Sequence, residues 1–250
     1  MADYGIEKPP YGVKPDQFWI DSTKCRLMYI FTGLGNTVTD LSGFGNTGTL
    51  TNVVPSSTSG RQSDNTVILD GVDDYIVCGN KSSLVGNSDA ITIECWFKLA
   101  KTVSEKAYLL GKSSGECVVY FNYNNTPIFR IAGTDPVQLS FGVTLSINTL
   151  YQLVVTYNSS GGGNNRRCYI NGVPISADTA TGSLPTGTQA FIVGAYSTTL
   201  YFCNSVYDCV RVYNKSLSSA DVWKLYTQKY YMFPKGRNNL VFPVGIRTSA

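Results

Sequence analysis

Along residues 91–99 apolar and intervening positions alternate. Ile91, Ile93, Cys95, Phe97 and Leu99 form one set, and Thr92, Glu94, Trp96 and Lys98 stand between them. Successive side chains leave a pleated strand on opposite sides, so a period of two predicts a strand with one set on a core and the other facing outward. Further β-rich runs fall at 66–69, 75–78, 107–110, 117–122, 128–131, 137–141, 151–157, 167–170, 190–193 and 208–213, bounded by Gly, Asn, Asp and Ser. Many short strands with turn signals between them predict an all-β sandwich or jelly roll. Asn171-Gly172 marks a two-residue hairpin turn, where both central positions need positive φ. One stretch departs from this rhythm. Ser218 and Asp221 fit a capping box, and Val222, Leu225 and Tyr226 follow at helical spacing, which predicts a short helix.

The pattern assigns residues 19–229 to one sandwich, flanked by an N-terminal arm (1–18) and a C-terminal arm (230–250). Pro9, Pro10 and Pro15 punctuate the first arm, which has too little apolar surface to offset the entropy of ordering on its own. The second carries Tyr231, Met232, Phe233, Leu240, Val241, Phe242, Val244 and Ile246, and is therefore expected to dock, on this domain or on another subunit. Composition narrows the partners. The formal charge of +3 comes from scattered Lys and Arg, with Arg166-Arg167 and the Lys235–Arg237 stretch the nearest to basic patches. That excludes the clustered basic footprint of a nucleic-acid binder. No apolar run is long enough to cross a membrane, and residues 1–15 lack the apolar stretch of a signal peptide. The seven cysteines without any histidine argue against zinc, and the expectation is reduced, strand-buried thiols in a protein made in the cytoplasm.

Several islands then carry a resemblance. Asp40-Leu41-Ser42-Gly43-Phe44-Gly45-Asn46, Leu69-Asp70-Gly71-Val72-Asp73-Asp74-Tyr75, Ile91-Thr92-Ile93-Glu94-Cys95-Trp96, Tyr169-Ile170-Asn171-Gly172-Val173 and Val210-Arg211-Val212-Tyr213 occur in this order. Together they resemble laminin-G-like, concanavalin A-like jelly-roll domains. The flanks, 27–34 and 225–233, are similar to single-domain members from bacteriophage genomes. The resemblance implies a concanavalin A-like jelly-roll β-sandwich. It also implies a structural Ca²⁺ held by Asp40, backbone oxygens around Gly43 and Asn46, and Asp208; Cys209 stands where a second acidic residue is common, and a thiol is a poor calcium ligand. The alternative for the same residues is side-chain turns at Asp40 and Asn46 and an amide cap at Asp208.

Catalytic chemistry is thin. Glucanases of this fold set two carboxylates along one strand, but Glu94, Glu105 and Glu116 each lack a carboxylate two or four residues away, and Glu7, four residues from Asp3, lies in the Pro-punctuated N-terminal arm outside the strand pattern. Asp73 and Asp74 are adjacent, and on a strand they would point to opposite faces. With no histidine, a Ser-His-Asp triad is excluded, and the cysteines lack their usual base. Aromatic residues offer a binding reading instead: Trp96, Tyr120, Phe121, Tyr123, Tyr196 and Tyr201 gather in the middle of the chain, and Tyr123, Tyr196 and Tyr201 lie near loops among Asn, Ser and Thr. The expectation is a non-enzymatic virion structural or surface protein, homo-oligomeric through its arms and able to bind host glycans. A free carbohydrate-binding module or lectin is the alternative, and a glycoside hydrolase stands third.

Overall fold

The computed structural model describes residues 22–31, 35–56, 60–61, 65–78, 84–85, 88–113, 115–187 and 189–228. The expected arms, 1–18 and 230–250, lie outside them. Among the described residues the alternating runs form two antiparallel sheets. The first runs β14 (Val173–Asp178), β13 (Arg166–Ile170), β12 (Leu150–Asn158), β7 (Ala90–Leu99), β16 (Asn204–Tyr213), β5 (Thr66–Asp70) and β4 (Val54–Ser56), and β1 (Cys25–Ile30) lies along the second half of β16. The second runs β11 (Gln138–Ser140), β10 (Thr126–Ile131), β9 (Cys117–Asn122), β8 (Ala107–Lys112), β15 (Phe191–Val193), β6 (Tyr75–Val77), β3 (Gly48–Thr51) and β2 (Thr37–Val38). Hairpins such as β8 to β11 alternate with crossovers that make β7 a neighbour of β12 and β16, and β15 a neighbour of β6 and β8, as in a jelly roll, and the fold class is the expected one. No helix among the described residues is long and apolar enough to cross a membrane.

The sheets pack through the expected inner faces. Ile91, Ile93, Cys95, Phe97 and Leu99 of β7 join Leu109, Val119, Phe121 and Phe129 of the second sheet in one buried cluster, with the rings of Phe97 and Phe121 5.7 Å apart. Apolar burial of this kind contributes roughly 25 cal/mol for each Å² removed from water. Pro174 interrupts the strand-like composition of β14, and on an edge strand its missing N–H is tolerated.

The other face of β7 differs from expectation. Thr92, Glu94 and Trp96 are buried as well, because the short helix α1 (Ser219–Thr227) lies over the first sheet. Val222 and Leu225 of α1 form a second small core with Met28, Ile30, Val154, Tyr169 and Tyr213. The capping box at its start is present in both directions, Ser218 to Asp221 and back. Its docking surface is the Asn171-Gly172 hairpin, whose φ values are 51° and 78°. A Cβ on Gly172 would come within 2.8 Å of the Trp223 ring, so only glycine satisfies both the turn and the close approach.

A buried ion pair sits within this second layer. Arg211 Nη1 donates to Glu94 Oε2 at 2.9 Å, while Glu94 Oε1 accepts from Trp96 Nε1 (3.1 Å) and Gln152 Nε2 (2.8 Å). Replacing Glu94 by Gln leaves a buried guanidinium without its counter-charge and is expected to cost about 3–5 kcal/mol, measured by urea unfolding. Combining Glu94→Gln with Arg211→Met should return part of that loss; an additive loss would show that the charges are not paired.

All seven cysteines are free and buried. Burial pushes the Cys25, Cys78 and Cys117 thiols from 9.0 up to about 12. The folded protein then keeps protons that the unfolded chain releases above pH 9. Stability supplied by the neutral thiols is therefore complete below about 9 and is lost as pH climbs toward 12. We expect the melting temperature to fall between pH 9 and 11. Thiol labelling at pH 8 should be slow in the native protein and reach all seven cysteines in denaturant; disulfide-blocked thiols would contradict this.

Candidate functional site

The outer face of the second sheet bears the densest cluster of rings. Strand alternation sends Leu109, Val119, Phe121 and Phe129 inward and Tyr108, Val118, Tyr120, Ile128 and Arg130 outward. Register makes rows of the outward set. Tyr108 lies opposite Tyr120, Tyr120 opposite Ile128, and Ile128 opposite Ser140; Val118 lies opposite Arg130, and Arg130 opposite Gln138. Such cross-strand neighbours stand about 5 Å apart, close enough for rings to stack. Tyr108 and Tyr120 do so, with centroids 5.0 Å apart and planes 18° from parallel.

The turn after β15 folds over these rings. Tyr196 N–H donates to the Leu200 carbonyl, and Tyr108 N–H donates to that of Tyr201. The Tyr196 ring stands 4.7 Å from Tyr108 at a steep tilt, and Tyr201 is 5.9 Å from both Tyr108 and Tyr196. Tyr201 is 41% exposed, while Tyr108 and Tyr120 form the floor at 7% and 6%. The rim is polar: Tyr120 Oη donates to Gln138 Oε1 at 3.1 Å, and Asn122, Ser140 and Arg130 border the rings. Burial, then the neighbouring Tyr120 and Tyr196, push the Tyr108 hydroxyl up to about 12 against the pull of Arg130. Flat hydrophobic rings bordered by amides and hydroxyls suit a ligand with both an apolar face and hydroxyl groups.

Of the three expected ring residues, Tyr196 and Tyr201 therefore meet. Tyr123 sits apart at the β9–β10 hairpin tip, 60% exposed and without a ring contact among the described residues. Tyr120, one of the gathered aromatics though not of the three loop residues, completes the site with Tyr108 and Arg130, which were not expected there. Trp96, on the opposite sheet, is a packing residue: its ring stacks on Tyr226 at 5.7 Å and 4°, and Arg61 lies 4.9 Å from both ring centres. Beside it, Ser56, Thr66, Lys98, Val206 and Asp208 line a cavity of about 210 Å³. The Arg166-Arg167 pair forms no patch, since Arg166 is buried against Asp178, Nε to Oδ1 at 2.9 Å and Nη2 to Oδ2 at 2.5 Å.

Of the residues expected to hold calcium, Asp40 and Asp208 are engaged in protein hydrogen bonds, while the buried Asn46 Oδ1 makes none among the described residues. Asp40 Oδ1 accepts from the amides of Met28 and Ser42, and Oδ2 from the Ser42 hydroxyl and the Asn46 amide, all at 2.8–3.0 Å. These four donors occupy the carboxylate's lone pairs, leaving none directed at a cation. The Asn46 carbonyl accepts from Tyr29 Oη, its Nδ2 donates to Arg26, and Gly43 provides a positive-φ turn position. Asp208 lies under another segment, accepting the Arg61 amide at 2.7 Å. The geometry at Asp40 is that of a side-chain turn and does not fit the implied ion. A carboxylate cluster does occur at Asp70, Asp73 and Asp74, where one oxygen from each lies within 4.8 Å of the others. Asp73 and Asp74 precede β6 in a turn, so strand alternation does not separate them.

The sequence model of the concanavalin A-like lectin/glucanases superfamily matches residues 70–223. Among solved structures, the binding domain of Paraclostridial Mosquitocidal Protein 1 is similar at TM-score 0.65 and 15% identity, over 82% of this chain and 52% of that one. A Trypanosoma rangeli sialidase in complex with sialic acid matches at TM-score 0.60 and 13% identity, over 82% and 33%. The Botulinum neurotoxin serotype D ligand binding domain in complex with N-acetylneuraminic acid matches at 0.60 and 15%, over 82% and 51%. The chain thus spans about half the length of the two toxin chains and a third of the sialidase. At these identities the likeness is one of fold. No curated protein matches the chain in sequence.

If Asp40 holds a turn, Asp40→Ala should cost about 2–4 kcal/mol through its lost hydrogen bonds, by the same amount in chelator and in millimolar calcium. A loss that appears only with calcium would return the ion to this site.

Proposed function

The chain belongs to the concanavalin A-like lectin/glucanases superfamily, and from its geometry we propose that it binds a glycan on the outer face of its second sheet without hydrolysing it. The observation that carries this reading is the four-tyrosine platform with a polar rim, Tyr196 and Tyr201 standing over Tyr108 and Tyr120. Solved relatives named for ligand binding, and one sialidase complex, lend support at the level of fold. Against hydrolysis stands Glu94, whose two oxygens are committed to Arg211, Trp96 and Gln152. Display on a phage particle is a narrower proposal that rests on the terminal arms, and glycan binding does not require it. A calcium ion, if one is part of this domain, would find its carboxylates at Asp70, Asp73 and Asp74 rather than at Asp40.

The test is binding of the full chain to a glycan array, followed by calorimetry on the best ligand. Tyr201→Ala and Tyr196→Ala should each weaken binding about tenfold, roughly 1.4 kcal/mol. Tyr123→Ala should leave it unchanged. Absence of any glycan ligand, or equal loss with Tyr123→Ala, would overturn the proposal.

A further inference from the structure

Resting on the reading that the tyrosine platform binds a glycan, we infer that its ligand is an acidic saccharide, with a carboxylate or sulfate group received by Arg130. Arg130 leaves β10 on the same face as Ile128 and lies opposite Val118, so its stem runs beside the platform. Its Nε–H donates to the Gly115 carbonyl at 3.2 Å, which anchors the guanidinium from one side. Gly115 also fixes its place relative to the rings: a Cβ there would lie 3.3 Å from Arg130 Nε and 3.9 Å from the Tyr196 ring. The guanidinium is therefore wedged between the Tyr196 side of the platform and the 115–116 turn.

Its charge is not used internally among the described residues. Among the described residues no carboxylate lies within salt-bridge distance of Arg130, whereas Arg166 and Arg211 each have one. The anchoring bond occupies Nε–H alone, and the Arg130 side chain makes no other hydrogen bond among the described residues. Arg130 is the charge that acts on both floor tyrosines, favouring their ionised forms against burial. A half-buried cation held beside rings, with its fork of N–H donors unclaimed by the described residues, matches a planar carboxylate in two-point geometry and a sulfate in similar fashion. The aromatic floor supplies contact with the sugar ring, and Arg130 supplies the choice among sugars.

The experiment compares matched glycans that differ only in the acidic group, such as lactose, 3′-sialyllactose and 3′-sulfolactose, together with other neutral and acidic pairs on an array. Wild type should prefer the acidic member at least tenfold, with the preference shrinking as salt rises. Arg130→Gln should abolish the preference, weakening acidic members at least tenfold more than neutral ones, with the fold retained as read by circular dichroism. Arg130→Lys, which keeps the charge without the fork, should retain only part of it. Preference confined to sialylated or to sulfated members supports the inference and identifies the group. Equal binding of neutral and acidic members, or a preference that survives Arg130→Gln, overturns it while leaving glycan binding intact. If no glycan binds at all, the platform reading itself falls, and the inference with it.

Discussion

Two opposite charges removed from water hold this domain's second layer in place. Glu94 and Arg211 occupy adjacent central strands, where either alone would carry a heavy desolvation cost. Paired, they commit Glu94 to a fixed orientation, and the remaining carboxylate oxygen aligns the Trp96 indole. That indole then offers a flat surface on which Tyr226 of α1 stacks and over which Arg61 lies. The helix, the 60–61 segment and the closing strand thus converge on one electrostatic contact. Burial of the first sheet on both sides has a consequence for function: its central outer face is closed, and the second sheet is left to meet a ligand.

The sandwich was legible because alternation is a local signal. Ile91 to Leu99 alternate whatever surrounds them, and Asn171-Gly172 demands a tight turn from its own chemistry. The fate of the alternate set was not legible. Whether Thr92, Glu94 and Trp96 meet water depends on a helix more than a hundred residues later in the chain, and period-two patterning carries no information about a second layer. Asp73 and Asp74 failed for a related reason: alternation holds only on a strand, and these two lie in the turn before one.

The candidate site divides along the same line. Tyr196 and Tyr201 stand out in a polar loop, so composition alone draws attention to them. Tyr108, Tyr120 and Arg130 acquire meaning only through register, which places residues 12 and 22 positions apart from Tyr108 in neighbouring strands. A faint signal was present, since β8 and β9 set Tyr108 and Tyr120 on the face opposite Leu109 and Phe121, so both faces carry large side chains. Asp40 shows the converse hazard. Its motif was recognisable, yet the number of donors around its carboxylate, which decides between turn and ion, is a three-dimensional fact.

The turn built on Asp40 also acts as a border. Its carboxylate takes the Met28 amide and Leu41 returns a bond to the Met28 carbonyl, so the open side of β1 is already occupied. The two strands that end the first sheet, β4 and β14, contain Pro55 and Pro174, each of which removes a donor an added strand would need. Three exposed margins are thereby blunted by three short sequence devices. This sheet is poorly suited to growing by strand addition, the route by which sandwiches polymerise into fibres, and any higher-order packing that uses it is directed toward contact between faces.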